Sequence, residues 1–355
     1  DYTERSFEYF RDVEEPMMPA VISCRSSIVF VWVVAWMSIG APVMAQIDRV
    51  VDPNWTHPRT SDGQPDLQGM WGNKTITPIE RPDSVQGKAF LTREEVAELE
   101  RMTADRRAYA EANPNPNAVG GYDNHWLDSG DTVLSTGQTS LIIDPPTGRA
   151  PVKPWALAAK AYNLEHLGDH YRHMSVWDRC LSRGVPGSML PAGYNNAYRI
   201  VQTPDHVVIQ HEMIHDVRII PLSDRPHIDP KITQWMGDAR AYWDDNTLVV
   251  HTKNFHSRGW IASSAAGARL KGIPTSPRLD VVERYERVSD DTIIWTVRID
   301  DPNVYLQSWS ISMPLTRDED YEMYEYACHE GNWAVRNALS GQRALDSTGD
   351  SDQEQ

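Results

Sequence analysis

From residue 198 onward, apolar and polar side chains alternate in short runs separated by acidic turns. Residues 198–202, 206–220, 239–243, 247–252, 279–285, 292–299, 309–313 and 321–327 each carry the period of two expected of a strand with one buried face. Asp244-Asp-Asn246 and Ser289-Asp-Asp291 join consecutive runs and predict antiparallel hairpins. A meander of about eight such strands must close or be covered, because open edges pair with other chains. The prediction is a mainly β fold, an antiparallel lipocalin-like β-barrel over residues 191–345 that holds a small ligand in its mouth or interior.

The first half reads differently. Residues 46–90 are rich in Pro, Gly, Asp and Asn, predicting a long irregular N-terminal segment with one short strand at 67–71. Thr92-Arg-Glu-Glu95 is a capping box opening a helix to Ala112, which Asn113-Pro-Asn-Pro116 stops. Few of its positions are apolar, so it belongs on the outside. Residues 139–144 read as a strand ended by a Pro-Pro-Thr-Gly turn. A second helix is expected over 155–177, with His166, His170 and His173 at i, i+4, i+7 spacing. Three histidines on one face could bind a metal, but without an evident acidic second shell a solvated face is the favoured reading. The helices and segments of 46–190 then pack on the barrel, 333–345 forms a closing helix, and 346–355 is an acidic disordered tail.

Residues 1–45 stand apart. Asp1 to Glu15 reads as upstream sequence, with Met17 or Met18 as the start. Arg25, the apolar run 28–37 and Val43-Met-Ala45 then have the order of a secretory signal peptide cleaved after Ala45. The competing reading is a membrane anchor over 28–45, against which Pro42 and the polar Gln46-Ile-Asp-Arg49 speak. The expectation is a periplasmic or secreted protein with no membrane contact after cleavage.

Composition narrows the function. The 355 residues carry a formal charge of −16, and removing 1–45 takes away six acids and three arginines. The acidic balance argues against nucleic acid as a partner, since a nucleic-acid binder needs a basic face to displace counterions. Of three cysteines, Cys24 precedes the apolar run, leaving Cys180 and Cys328. In an oxidising compartment two cysteines suggest one disulfide; the alternative is two buried thiols. There are 13 Trp and 14 Tyr against 5 Phe, a bias toward rings with an apolar face and a polar edge.

The candidate chemistry starts at His211-Glu-Met-Ile-His215, which matches the zincin string HExxH. That string works only on a helix, where both histidines meet one zinc. Here Val-Val-Ile and Val-Arg-Ile-Ile flank it, so a strand is expected. Glu212, Asp216 and Arg218 then share one face with Ile214, and His211 and His215 share the other. A carboxylate–guanidinium row inside a barrel is a candidate acid–base cluster, and it equally fits a structural ion pair. His215 is a proton-transfer residue by type. His329 and Glu330, beside Cys328, form a second His–Glu candidate. Trp126, Asp128, Tyr194, Asn195, Asn196, Trp235, Asp238 and Arg240 complete the polar and aromatic concentrations expected to bind a ligand. A nucleophile elbow, a Walker A loop and a dinucleotide fingerprint are missing, so serine-hydrolase, NTPase and nicotinamide readings lose weight.

Several long strings carry a resemblance: the segment ending Tyr-Asp-Asn-His-Trp-Leu-Asp128, Ser140-Leu-Ile-Ile-Asp-Pro-Pro146, Glu212-Met-Ile-His-Asp-Val-Arg-Ile-Ile-Pro-Leu222, Gly237-Asp-Ala-Arg240 and Tyr324-Glu-Tyr-Ala-Cys-His-Glu-Gly-Asn332. Over residues 55–343 the chain resembles a family of secreted proteins of soil and environmental bacteria. The resemblance implies secretion and supplies no catalytic residues. It also implies a residue other than His before Glu-Met-Ile-His, which weakens the zincin reading further.

The favoured expectation is a secreted or periplasmic enzyme, a hydrolase or lyase/isomerase, acting on a small cyclic compound such as a sugar or aromatic. His215, Asp216, Glu212, Arg218, His329 and Glu330 would carry acid–base chemistry without a cofactor. The rivals are a non-catalytic lipocalin-like carrier and a metal-dependent enzyme using the His-rich strand with a divalent metal.

Overall fold

The computed structural model describes residues 55–113 and 127–353, so the expected signal peptide and Trp126 lie outside the described residues. Ten strands are present among the described residues: β1 (Gly69–Gly72), β2 (Ile142–Asp144), β3 (Ala197–Gln202), β4 (His206–His211), β5 (Val217–Pro221), β6 (Asp238–Asp244), β7 (Thr247–Lys253), β8 (Asp280–Arg287), β9 (Thr292–Asp300) and β10 (Trp309–Arg317). Their order is β5-β4-β3-β1-β10-β9-β8-β7-β6, every neighbour antiparallel, with β2 added on β10. The two ends of this path meet through a bridge between Leu222 and Ala241, where Ser223 N–H donates to the Ala241 carbonyl at 3.1 Å. The result is a nearly closed, lipocalin-like nine-strand barrel.

Strand register explains the core. Tyr285 faces Trp295, which faces Met313, and Val281 faces Ile299, which faces Trp309. These inward rows, with Trp71, Ile200 and Ile209, fill the barrel with side chains that have almost no contact with solvent. Alternate positions on the same strands point outward, which is the pattern the sequence carries.

Among the described residues, three α-helices lie outside: α1 (Arg93–Ala112), α2 (Pro154–Glu165) and α3 (Ala334–Gln353). The α1 cap is the one expected, with Glu95 N–H donating to Thr92 Oγ1 at 3.3 Å and Thr92 N–H to Glu95 Oε2 at 2.7 Å. None of its side chains is buried.

Four expectations need correction. The run 206–220 is two strands, because Ile214 and His215 have positive φ and fold the chain back on itself. Residues 321–327 join no ladder; the place beside β10 that a last strand would take is filled by β1, from the N-terminal half. The barrel is therefore not confined to 191–345. The helix over 155–177 stops at Glu165, since Gly168 and the turn at Tyr171–His173 break it, so His166, His170 and His173 are not one helical face. Finally α3 runs past Leu345 into the acidic tail.

Candidate functional site where β4 turns into β5

The chain from His211 to Val217 is a tight turn rather than a strand. His211 N–H donates to the Asp216 carbonyl at 2.8 Å, and Glu212 N–H to the Ala197 carbonyl at 3.1 Å. Ile214 sits at φ 63° and His215 at φ 47°. A left-handed β-branched residue costs about 1–3 kcal/mol and persists only where its surroundings hold it. Here Met213 and Ile214 are buried in a small apolar cluster with Ala192, Trp177, Tyr194, Tyr326 and Cys328. Cys180 (φ 54°) and Asn195 (φ 52°), two more left-handed non-glycine residues, border the same cluster.

The Cys180–Cys328 disulfide ties this region together across 148 residues of chain. His215 Nδ1 lies 2.6 Å from the Tyr326 carbonyl, and the Tyr194 and Tyr326 hydroxyls are 3.4 Å apart. Segments far apart in sequence thus converge: 192–196, 211–217 and 326–328.

Glu212 is 1% exposed, and both its carboxylate oxygens accept from one hydroxyl, that of Tyr321, at 2.7 and 2.8 Å. Burial, followed by the hydrogen bond and charge of Glu212, holds the Tyr321 phenol above its ordinary pKa. The Lys74 ammonium lies 5.3 Å from the Tyr321 ring centre and 3.7 Å from Asp128 Oδ2. Asp128 Oδ1 in turn accepts from Asn196 Nδ2 at 2.8 Å, and Asn196 Oδ1 accepts from Ala192 N–H at 2.8 Å. A shallow cleft opens beside this group, lined by Met70, Trp71, Gly72, Lys74, Ala197, Asp318 and Tyr321.

The remaining expected residues divide. Asp216 Oδ2 accepts from Ser182 Oγ at 3.0 Å and from Arg183 N–H at 3.3 Å, and burial pushes its carboxyl above the usual range. Arg218 points the other way, into the barrel, where it donates to both oxygens of Glu283 at 3.0 and 2.5 Å. The expected Glu212/Asp216/Arg218 row does not form, because the turn sends each side chain to a different partner. His211 and His215 do not share a face either: the first is buried edge-on against Tyr198, while the second is exposed.

His329 and Glu330 are exposed on the turn that follows the disulfide. Trp235 stacks on His256 with ring centres 4.1 Å apart. Asp238 and Arg240 lie on the outward side of β6, where Arg240 Nη1 donates to Asp238 Oδ1 at 2.7 Å and His227 Nδ1 sits 3.0 Å from Asp238 Oδ2. Of the expected ligand-binding set, the structure brings Asp128, Tyr194, Asn195 and Asn196 to the turn. Sequence reasoning missed Lys74, Ser182, Arg183 and Tyr321, single residues in irregular chain whose spacing carries no signal.

Among the described residues, no group of three or more His, Cys, Asp or Glu side chains is arranged to hold a metal ion. Among them too, no helix is long and apolar enough to cross a membrane. Fold and site define a nearly closed antiparallel β-barrel protein whose disulfide-tied turn presents a buried carboxylate beneath a cleft. No protein-family model, curated protein or solved structure matches the chain.

Proposed function

We propose that the protein is a secreted or periplasmic enzyme that moves protons on a small cyclic compound, such as a sugar or aromatic, bound over the shallow surface beside Lys74 and Tyr321. The observation that carries this is Glu212: a carboxylate almost wholly out of water, with no cation among the described residues in contact, whose two oxygens share the Tyr321 hydroxyl. The disulfide supports an oxidising compartment, in keeping with the signal-like N-terminal sequence and with membership of the secreted family that the sequence resembles.

The arrangement suits a relay. A substrate O–H or C–H gives its proton to the Tyr321 oxygen while the Tyr321 proton passes to Glu212; the reverse step returns it. Because the two transfers go together, no free phenolate forms, which is consistent with the raised pKa of Tyr321. Lys74 sits where it lowers the energy of the negative charge left on the substrate. Met70 supplies an apolar wall of the cleft. Proton abstraction of this kind serves a lyase or isomerase, and with a bound water it serves a hydrolase.

A carrier with its ligand inside the barrel fits less well, since Trp71, Trp295, Trp309 and Tyr285 occupy the interior. The test is turnover by the disulfide-intact protein on a panel of 4-nitrophenyl glycosides, sugar lactones and hydroxylated aromatic acids. A substrate found this way should lose about 10²–10⁴-fold in kcat in Glu212→Gln and in Tyr321→Phe. Saturable binding of panel compounds with no product formed would favour the carrier.

A further inference from the structure

Close behind the turn, several buried polar groups lack the bonds they need. Arg183 is 2% exposed; its Nη2 donates to the Leu190 carbonyl at 3.2 Å, its Nε has no partner, and no carboxylate among the described residues pairs with its guanidinium. His211 is 1% exposed, and neither ring nitrogen has a partner of hydrogen-bonding geometry, although the Ser188 carbonyl lies near enough to favour the protonated ring. Ser188 Oγ is buried and unpartnered, as is Asn73 Oδ1. Buried polar atoms are nearly always bonded, so such a concentration calls for an occupant.

These groups are neighbours. Ser188, Met189 and Leu190 are consecutive; Arg183 takes the Leu190 carbonyl, and Asn73 Nδ2 takes the Met189 carbonyl at 2.7 Å and the Tyr198 hydroxyl at 2.6 Å. Tyr198 and His211 are cross-strand partners on β3 and β4, with ring centres 5.3 Å apart. The charge around them is positive. Arg218 is neutralised by Glu283, but Arg183 has only Asp216, whose Oδ2 is already used by Ser182 Oγ and by the Arg183 backbone. The donors left over are the Arg183 Nε–H, a His211 ring N–H and the Ser188 hydroxyl. A guanidinium with neutral N–H and O–H donors is the set that binds small anions, and a water would satisfy the donors without offsetting the charge.

We propose that Arg183, His211 and Ser188 form an internal site for a small monovalent anion, of halide or formate size. The site does not depend on the Glu212–Tyr321 reading. An anion beside His211 favours its protonated ring, so binding strengthens as pH falls. The charged and titratable groups facing that ring are Arg183, Arg218 and Tyr198, with Asp216 at its backbone and Glu283 behind Arg218.

Thermal unfolding at fixed ionic strength, with sodium gluconate replaced by sodium chloride, bromide or formate, reads the site directly. We expect a saturable rise in Tm of roughly 2–5 °C, larger at pH 6 than at pH 8 and absent in Arg183→Met. A response to formate alone identifies a carboxylate rather than a halide as the occupant. Bromide-soaked crystals of the unsubstituted protein should show an anomalous peak between Arg183 and His211, a result independent of whether the variant folds. Equal Tm in all four salts, with water at that position in the crystal, overturns the proposal.

Discussion

The Arg218–Glu283 pair in the barrel interior allows a sharp test of the fold. Glu283 is wholly buried and accepts two bonds from Arg218, one from the Tyr285 hydroxyl at 2.8 Å and one from Trp295 Nε1 at 3.2 Å. Replacing Arg218 by Met keeps an unbranched side chain of similar reach but leaves a buried carboxylate with two neutral donors. Breaking such a pair costs about 3–5 kcal/mol, whereas removing both charges costs far less, because the desolvation of each ion is removed with it. Glu283→Gln in the Arg218→Met background keeps a carbonyl oxygen for Tyr285 and Trp295. It should recover about 2 kcal/mol or more of the loss, since a neutral acceptor needs no counter-charge. Urea unfolding of the disulfide-intact proteins at pH 7, compared by midpoint at constant m-value, measures both steps. Two results would refute the reasoning: a loss under 1 kcal/mol for Arg218→Met, or a double variant whose loss is the sum of the singles.

Other outcomes follow from separate features. Replacing Cys180 and Cys328 by Ser opens a loop closed across 148 residues, for which the chain-entropy model gives a loss of about 5 kcal/mol, measurable as a lower unfolding midpoint. Gly237 has φ +70°, and a Cβ there would lie 2.6 Å from Thr252 Cγ2 and 2.7 Å from the Lys253 carbonyl, so Gly237→Ala should cost about 2–4 kcal/mol by the same measurement. Burial, then the charges of Arg218 and Arg183, hold His211 neutral well below its ordinary pKa. The unfolded chain therefore takes up a proton below pH 6.5 that the folded chain refuses, and stability falls with pH in that window. In chloride-free gluconate His211→Gln should remove up to about 1.4 kcal/mol per pH unit of that slope between pH 6 and 5; an unchanged slope contradicts the assignment.

The strands of β6 to β10 were legible because alternation and acidic hairpin turns are local properties, and the disulfide because only two cysteines remain once the N-terminal segment is set aside. The β4–β5 turn was not. Ile214 is a β-branched residue forced to positive φ by packing against Trp177, Tyr194 and Tyr326, contacts made by distant segments. That fold-back also redirected the expected carboxylate row and gave Glu212 a partner, Tyr321, that was not among the candidates. Tyr321 looked like the start of a strand, and Lys74 stood in a segment that looked like coil. The approach of Lys74 to the Tyr321 ring, with the Tyr321 hydroxyl on Glu212, is a tertiary fact with no sequence spacing behind it.

In the proposed function Glu212 and Tyr321 transfer a proton as one unit. The most direct measurement is the kcat/KM pH profile and solvent isotope effect of the unsubstituted protein, Tyr321→Phe and Glu212→Gln on a substrate from the panel. Since Phe keeps the ring and Gln keeps the shape of the carboxylate, both variants should fold and bind. Each should lose kcat by about 10²–10⁴-fold with KM little changed, and the double variant should be no slower than the slower single, as expected for residues acting together. If Tyr321→Phe turns over as fast as the unsubstituted protein, or if the two losses multiply, the relay is wrong.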